Sequence, residues 1–305
     1  MKKMSLMFPI ISGGLWGSAG IFVRKLSYFG VDSSTIISSR VLLALIILFI
    51  GILIFDKSLL KIKLKDAWLF IATGILGMLG LNVCYNESVN QLSLSLAAVL
   101  LSLSPIFVVF LAAILFKEKV TLHKISCMLL AIFGCLLASG ILENTTGMKW
   151  SVTGILIGIL SSFFYGLYSI MSKIAMDKGY KAFTITFYSL LTLEIVLLPF
   201  TNWHILSDFL IVSPVNHSIF MFLHSLCTSV LPYVLYTVAL TYVETGKTSI
   251  LAAGAEPTAA MLLGMIFFSE MPTVLSLIGL VVTIIALSLL CMPPKHQALE
   301  LTEAN

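Results

Sequence analysis

Apolar runs of about twenty residues follow one another along this chain almost without pause. They cover roughly 6–26, 33–55, 67–86, 92–116, 122–142, 151–173, 181–200, 216–241, 247–268 and 272–292, with short polar clusters between them. A helix needs about 20 apolar residues to cross a bilayer's hydrocarbon. Lipid offers no partner to a loose backbone amide, so each run predicts a transmembrane helix. The pattern therefore predicts an all-α integral membrane protein of ten spans.

Charge adds a direction to this picture. With the N-terminus on the inside, the inner loops hold fourteen basic residues, from Lys2 and Lys3 through Lys57, Lys61, Lys63, Lys65, Lys178 and Lys181 to Lys295. The outer ends hold Arg24, Lys25 and Lys149, and Arg40 lies within the second span. Such segregation orients a membrane protein and predicts both termini in the cytoplasm; the short lysine-rich loops, the lack of a signal cleavage site and the cysteine usage fit a bacterial plasma membrane. Lys2 and Lys3 before an apolar run resemble a signal peptide, but the run lacks a convincing cleavage site and has a counterpart in the second half. It is read as a retained first helix.

Composition agrees. Hydrophobic residues make up 59% of the 305 and charged residues 10%, against about 25% charged in soluble domains. No room is left for a sizeable soluble domain. The net charge of +4 sits in short loops and makes no case for nucleic acid. Cys84, Cys127, Cys135, Cys227 and Cys291 fall in or beside apolar spans without metal-type spacing, so neither disulfides nor a metal site is expected. No cofactor is expected.

The spans also repeat. Ser104-Pro105 precedes Glu118 as Glu256-Pro257 precedes Glu270, with proline and glutamate thirteen residues apart in both copies and the copies 152 apart. Ile114/Ile266, Phe116/Phe268, Thr121/Thr273 and Ile132/Ile284 keep that offset, while Trp16 to Arg24 mirrors Tyr165 to Lys173 at an offset of 149. The predicted domains are 1–142 and 151–292, five spans each, with a short cytoplasmic tail at 293–305. An odd number of spans per half turns the second half upside down, so the halves are expected to be inverted repeats.

With Gly14-Leu15-Trp16-Gly17, Arg40 with Ala44, Pro105, Glu118 with Gly134, then Pro257, Glu270 and Gly279, the chain resembles the EamA-type branch of the drug/metabolite transporter superfamily along essentially its whole length. The resemblance implies ATP-independent, alternating-access transport of small metabolites, often export of amino acids or toxic compounds. Two departures are Cys127 where the second copy has Gly279, and Ala286 where the first has Gly134.

The candidate residues follow from polarity at bilayer depth. Pro105 and Pro257 sit mid-span, where proline removes a donor and is expected to kink the helix and free backbone groups beside a cavity. Ser104 and Glu256 precede them. A carboxylate at that depth must face a cavity or pair with a cation, so Glu256 is a candidate for proton coupling or for holding a substrate cation; the bland alternative is a structural pair with Arg40. Arg40 itself could grip a substrate carboxylate or simply tie helices together. Glu194 and His224 complete the intramembrane ionisable set. Trp16, Tyr85, Tyr165, Tyr168, Tyr233 and Tyr236 could stack on an aromatic or quaternary-amine solute, or be ordinary packing and, for Tyr85, an interfacial belt. Glu118 and Glu270 read as caps of the helices that follow them. Gly13-xxx-Gly17 and Gly154-xxx-Gly158 read as close-packing faces.

No P-loop, HExxH or arginine-rich helix is present, which argues against ATP hydrolysis, metalloprotease chemistry and voltage sensing. The expected function is gradient-driven secondary transport of an amino-acid-like or other small polar solute, with export the direction the resemblance implies. The alternatives are an uptake permease for an amine or quaternary ammonium compound and, more remotely, a membrane enzyme on lipid substrates or a non-transporting receptor. Expected partners are a small-molecule substrate and the bilayer; a homodimer is left open.

Overall fold

In a computed structural model, residues 6–115, 121–138, 151–242 and 245–290 are described. These residues are helical apart from short connections. Six of the described helices are long and apolar enough to cross a membrane: Ser33–Phe55, Leu64–Gln91, Leu94–Leu115, Val152–Asp177, Ala182–Phe200 and Pro214–Tyr236. They correspond to the second, third, fourth, sixth, seventh and eighth expected spans. The first expected span is Met7–Gly17 and Ala19–Tyr28, interrupted at Ser18, whose hydroxyl turns back to donate to the Leu15 carbonyl at 2.6 Å. The fifth, ninth and tenth hold the helices Leu122–Ala138, Thr245–Phe268 and Val274–Leu290.

Local chemistry starts and stops these helices. Asp32 caps Ser33–Phe55 by accepting from the Thr35 amide at 3.1 Å, and Ser151 caps Val152–Asp177 by accepting from Gly154 at 2.8 Å. Span 1 ends with Gly30 at φ +80° and span 6 with Gly179 at φ +90°. Both are left-handed helix ends that glycine adopts at no steric cost. The closing bonds match: Val31 N to Leu26 O, and Tyr180 N to Ala175 O. All these positions stand 149 residues apart.

The halves pack reciprocally. Span 1 lies on span 9 and span 4 on span 6; span 8 meets span 1 and span 3 meets span 6; spans 5 and 10 pack on each other. Spans 3 and 8 each carry a π-helical segment, Thr73–Leu79 and Leu226–Val230, at corresponding places. Such bulges re-aim the side chains that follow them and are frequent at functional sites.

Glycines set the closest approaches. A Cβ on Gly17 would lie 2.4 Å from the Glu256 carbonyl oxygen, and one on Gly279 would lie 2.4 Å from the Ala138 amide nitrogen. The close-packing reading of Gly13-xxx-Gly17 thus becomes direct backbone contact with span 9. Gly17→Val is expected to push spans 1 and 9 apart at a cost of about 1–3 kcal/mol. The thermal midpoint of the purified protein should drop clearly. Gly14→Ala, whose Cβ would find only Ala259 Cβ at 4.0 Å, should leave it unchanged. Cys127 and Ala286, the two departures in the repeat, are both buried in the apolar cluster between spans 4, 5 and 10.

The apparent loop after span 7 holds a further helix, Trp203–Val212, capped by Asn202. Its apolar residues Ile205, Leu206 and Leu210 pack on the cluster around spans 1 and 3, so its hydrophobicity serves packing at one end of the bundle.

Candidate substrate site

The intramembrane polar residues gather where spans 1, 2, 3, 6, 8 and 9 converge. The tight contact of span 1 with span 9 fixes Trp16, whose ring lies 5.3 Å from Tyr233 and 5.7 Å from Tyr236, centroid to centroid. The Ser12 hydroxyl, one turn earlier, donates to the Pro232 carbonyl at 2.8 Å and pins span 8 beside them. Tyr165 and Tyr168 of span 6 are 6.2 Å apart. Tyr85 is buried, so it is no interfacial belt residue.

Glu256 is 7% exposed, within electrostatic reach of Tyr85, Tyr165 and Tyr233. The helix runs through Pro257 without interruption, so proline frees the carbonyl one turn earlier without breaking the span. Span 4 behaves differently. It stops at Leu101 and restarts at Ser104, with Pro105 in the new first turn, where the missing donor costs little. Ser104 is buried at this break. The two prolines, equivalent in sequence, therefore produce a helix break in one half and a continuous helix in the other.

Arg40 is 7% exposed and makes no ion pair with Glu256. Its guanidinium donates to Thr228 Oγ1 at 3.0 Å and to Asn82 Oδ1, and its carbonyl accepts from Ser225 Oγ at 2.8 Å. It thus ties spans 2, 3 and 8 together. Tyr85 and Tyr233 lie within electrostatic reach of both the Arg40 guanidinium and the Glu256 carboxyl, two buried groups that make no ion pair with each other.

Two other ionisable groups are Glu194 and His224, the latter linked to Arg40 through Thr228, whose hydroxyl donates to the His224 carbonyl at 2.6 Å. Glu194 Oε1 accepts from Ser38 Oγ at 2.7 Å, joining spans 7 and 2, while Oε2 has no partner. His224 is fully buried, stacks on Phe22 with centroids 4.9 Å apart, and leaves both ring nitrogens without a partner. The sequence did not single out Asn82, Thr228 or Ser38. Asn82 alone carried a signal, as an amide inside an apolar run.

Glu270 corrects its reading as a cap of the following helix. It pairs with Arg24, and its Oε2 accepts from the Leu94 amide at 2.9 Å at the start of span 4. Thr273 caps the next helix instead, accepting from Ser276 N at 3.1 Å. Arg24 also donates to the Val89 and Leu92 carbonyls at 3.0 and 2.6 Å and lies 4.7 Å from the Phe268 ring centroid. The pair brackets the bend between spans 3 and 4, with the cation on the C-terminal carbonyls and the anion on the N-terminal amide, as helix dipoles favour. Glu118 lies outside the described residues, as does Cys291. Among the described residues, no cluster of histidine, cysteine, aspartate and glutamate could hold a metal.

Two reciprocal, all-helical halves around a buried polar centre define a membrane-transporter architecture. The EamA-like transporter family model matches residues 3–140 and 152–292, and the chain belongs to that family, within the drug/metabolite transporter superfamily. An uncharacterized transporter of Archaeoglobus fulgidus is 27% identical over 88% of this chain and 90% of its own length. The uncharacterized transporter YdfC of Bacillus subtilis is 26% identical over 93% of this chain and 90% of its own. A solved crystal structure superposes with a TM-score of 0.64 at 15% identity, covering 99% of both chains, a likeness of fold.

Proposed function

We propose that this protein is a ten-span secondary transporter whose inverted halves carry a small polar solute past the centre formed by Arg40, Glu256 and the surrounding aromatics. The observation that carries this reading is a buried guanidinium and a buried carboxyl that both reach Tyr85 and Tyr233 without pairing with each other. A buried charge is costly unless something compensates it. A zwitterionic solute such as an amino acid does so at both poles, with its carboxylate toward Arg40 and its ammonium toward Glu256. Trp16, Tyr165, Tyr168, Tyr233 and Tyr236 shape the space between, and the break at Ser104-Pro105 supplies backbone groups beside it. Glu194 and His224 are candidates for coupling to a proton gradient. Export is the direction that the family resemblance supports, from a bacterial plasma membrane with both termini inside.

A second reading is favoured by the hydrogen bonds of Arg40. Because Asn82 and Thr228 already occupy two of its nitrogens, an organic cation could use Glu256 and the tyrosines alone. The test is the thermal midpoint of purified protein against amino acids, amines and small carboxylates, since a ligand of the folded state raises it by mass action. Stabilisation by amino acids and not by the matching amines supports the zwitterion; the reverse supports the cation. Silence across a well-folded sample would overturn both.

A further inference from the structure

The lysine-rich face holds a pocket of its own, remote from the buried centre. The loop 56–66 between spans 2 and 3 lies against the start of span 7. Tyr188 Oη donates to the Leu60 carbonyl at 2.6 Å, and Thr184 Oγ1 to that of Leu59 at 2.9 Å. Tyr180 Oη accepts from the Lys63 amide at 3.0 Å and donates to Asp66 Oδ2 at 2.8 Å. Ile62 packs inward on Leu69, Phe70 and Ala175, so in this extended stretch its neighbours Lys61 and Lys63 face away. The result is a cavity of about 320 Å³ lined by Lys63, Lys65, Asp66 and Lys178.

Its charge is unbalanced. Asp66 holds Lys178 at 2.6 Å and Asp56 holds Lys181 at 3.1 Å. Hydrogen bonds from Ser58, then the contact with Lys181, hold the Asp56 carboxyl below the usual carboxylate range, so it stays an anion. Both carboxylates of the loop are thus engaged. Among the described residues, Lys57, Lys61, Lys63 and Lys65 have no ion-pair partner. Apolar side chains stand exposed beside them: Leu64 at 90%, between the two pocket lysines, and Trp68 at 52%, with the Lys178 ammonium 5.8 Å from its ring centroid. A soluble anion would satisfy the lysines and leave Leu64 and Trp68 in water. A phospholipid satisfies both, because its phosphate and its hydrocarbon meet at this depth.

We propose that the pocket is a binding site for an anionic phospholipid, with Lys63 and Lys65 on the phosphate, Lys178 at its edge, and Leu64 and Trp68 against the glycerol and upper acyl chains. Basic pockets between helices at a membrane's charged face take such headgroups. The site is independent of what the protein transports.

The full chain in detergent, titrated with phosphatidylglycerol or with phosphatidylcholine of the same acyl chains and read by native mass spectrometry, tests it. Phosphatidylglycerol should be retained in preference. K63Q/K65Q should lower that affinity by roughly fivefold per lysine, while phosphatidylcholine retention and the thermal midpoint stay as in the parent. Both lysines are exposed enough for the variant to fold. Equal retention of the two lipids, or undiminished phosphatidylglycerol retention in the variant, would overturn the proposal. So would displacement of the lipid by millimolar inorganic phosphate, which would mark a soluble-anion site.

Discussion

Glu256→Gln is expected to weaken binding of an ammonium-bearing substrate by about 10- to 100-fold, the loss typical of a hydrogen bond to a buried charge. Transport in proteoliposomes should fall at least as far. Stability should move the other way or stay still. The Glu256 carboxyl is 7% exposed and has no ion-pair partner among the described residues, so ionising it in the empty protein carries a desolvation cost that the amide lacks. The thermal midpoint without substrate should therefore equal or exceed that of the parent, while the rise on adding substrate shrinks. A structural carboxylate would behave oppositely, losing midpoint and keeping the ligand response. Arg40→Gln is the contrasting case. It removes bonds to Asn82 and Thr228 across three spans, so it should lower both the midpoint and carboxylate recognition. Unchanged flux in a folded Glu256→Gln protein would sink the proposed role.

The repeat was legible because it rests on spacing. Trp16/Tyr165 and Arg24/Lys173 share an offset of 149, and the glycine caps Gly30 and Gly179 fall on the same offset in the fold, though they drew no notice in the sequence. What a residue touches across the bundle was not legible. Glu270 stands next to Pro272 and Thr273 in sequence, which suggested a local cap, yet its partners Arg24 and Leu94 lie 246 and 176 residues away. Arg40 was legible as a buried charge, but Asn82 and Thr228 are ordinary polar residues until a fold places them on the guanidinium. The Pro105 and Pro257 copies read alike and fold differently, since proline is tolerated in a first turn and within a helix for different reasons. The Trp203–Val212 helix was hidden because a mostly apolar stretch of ten residues, broken by His204, Ser207 and Asp208, is too short to span and too long for a plain loop.

Glu270→Gln is expected to loosen the end of the bundle opposite the lysine-rich loops and to shift a transporting protein toward conformers open on that side. The Arg24–Glu270 pair joins span 1 to the segment after span 9 and, through the Leu94 amide, to the start of span 4. These spans come from both halves, so any opening between the halves at this end must break it. The side chains are 12% and 20% exposed, which places the pair between exposed ion pairs worth under about 1 kcal/mol and buried ones whose rupture costs about 3–5 kcal/mol. A loss of about 1–3 kcal/mol is expected, enough to raise an open population roughly 5- to 150-fold. Hydrogen exchange at residues 89–96 reports it, because Glu270 holds the Leu94 amide and Arg24 the Val89 and Leu92 carbonyls, and an opening of this end releases them together. Exchange there should accelerate in Glu270→Gln and in Arg24→Gln. The double variant should gain less than the sum of the two, since both substitutions remove the shared ion pair while each also removes bonds of its own. If the two effects instead add, Arg24 and Glu270 act separately, and the closure of this end lies in the apolar packing of Gly20 against Leu94.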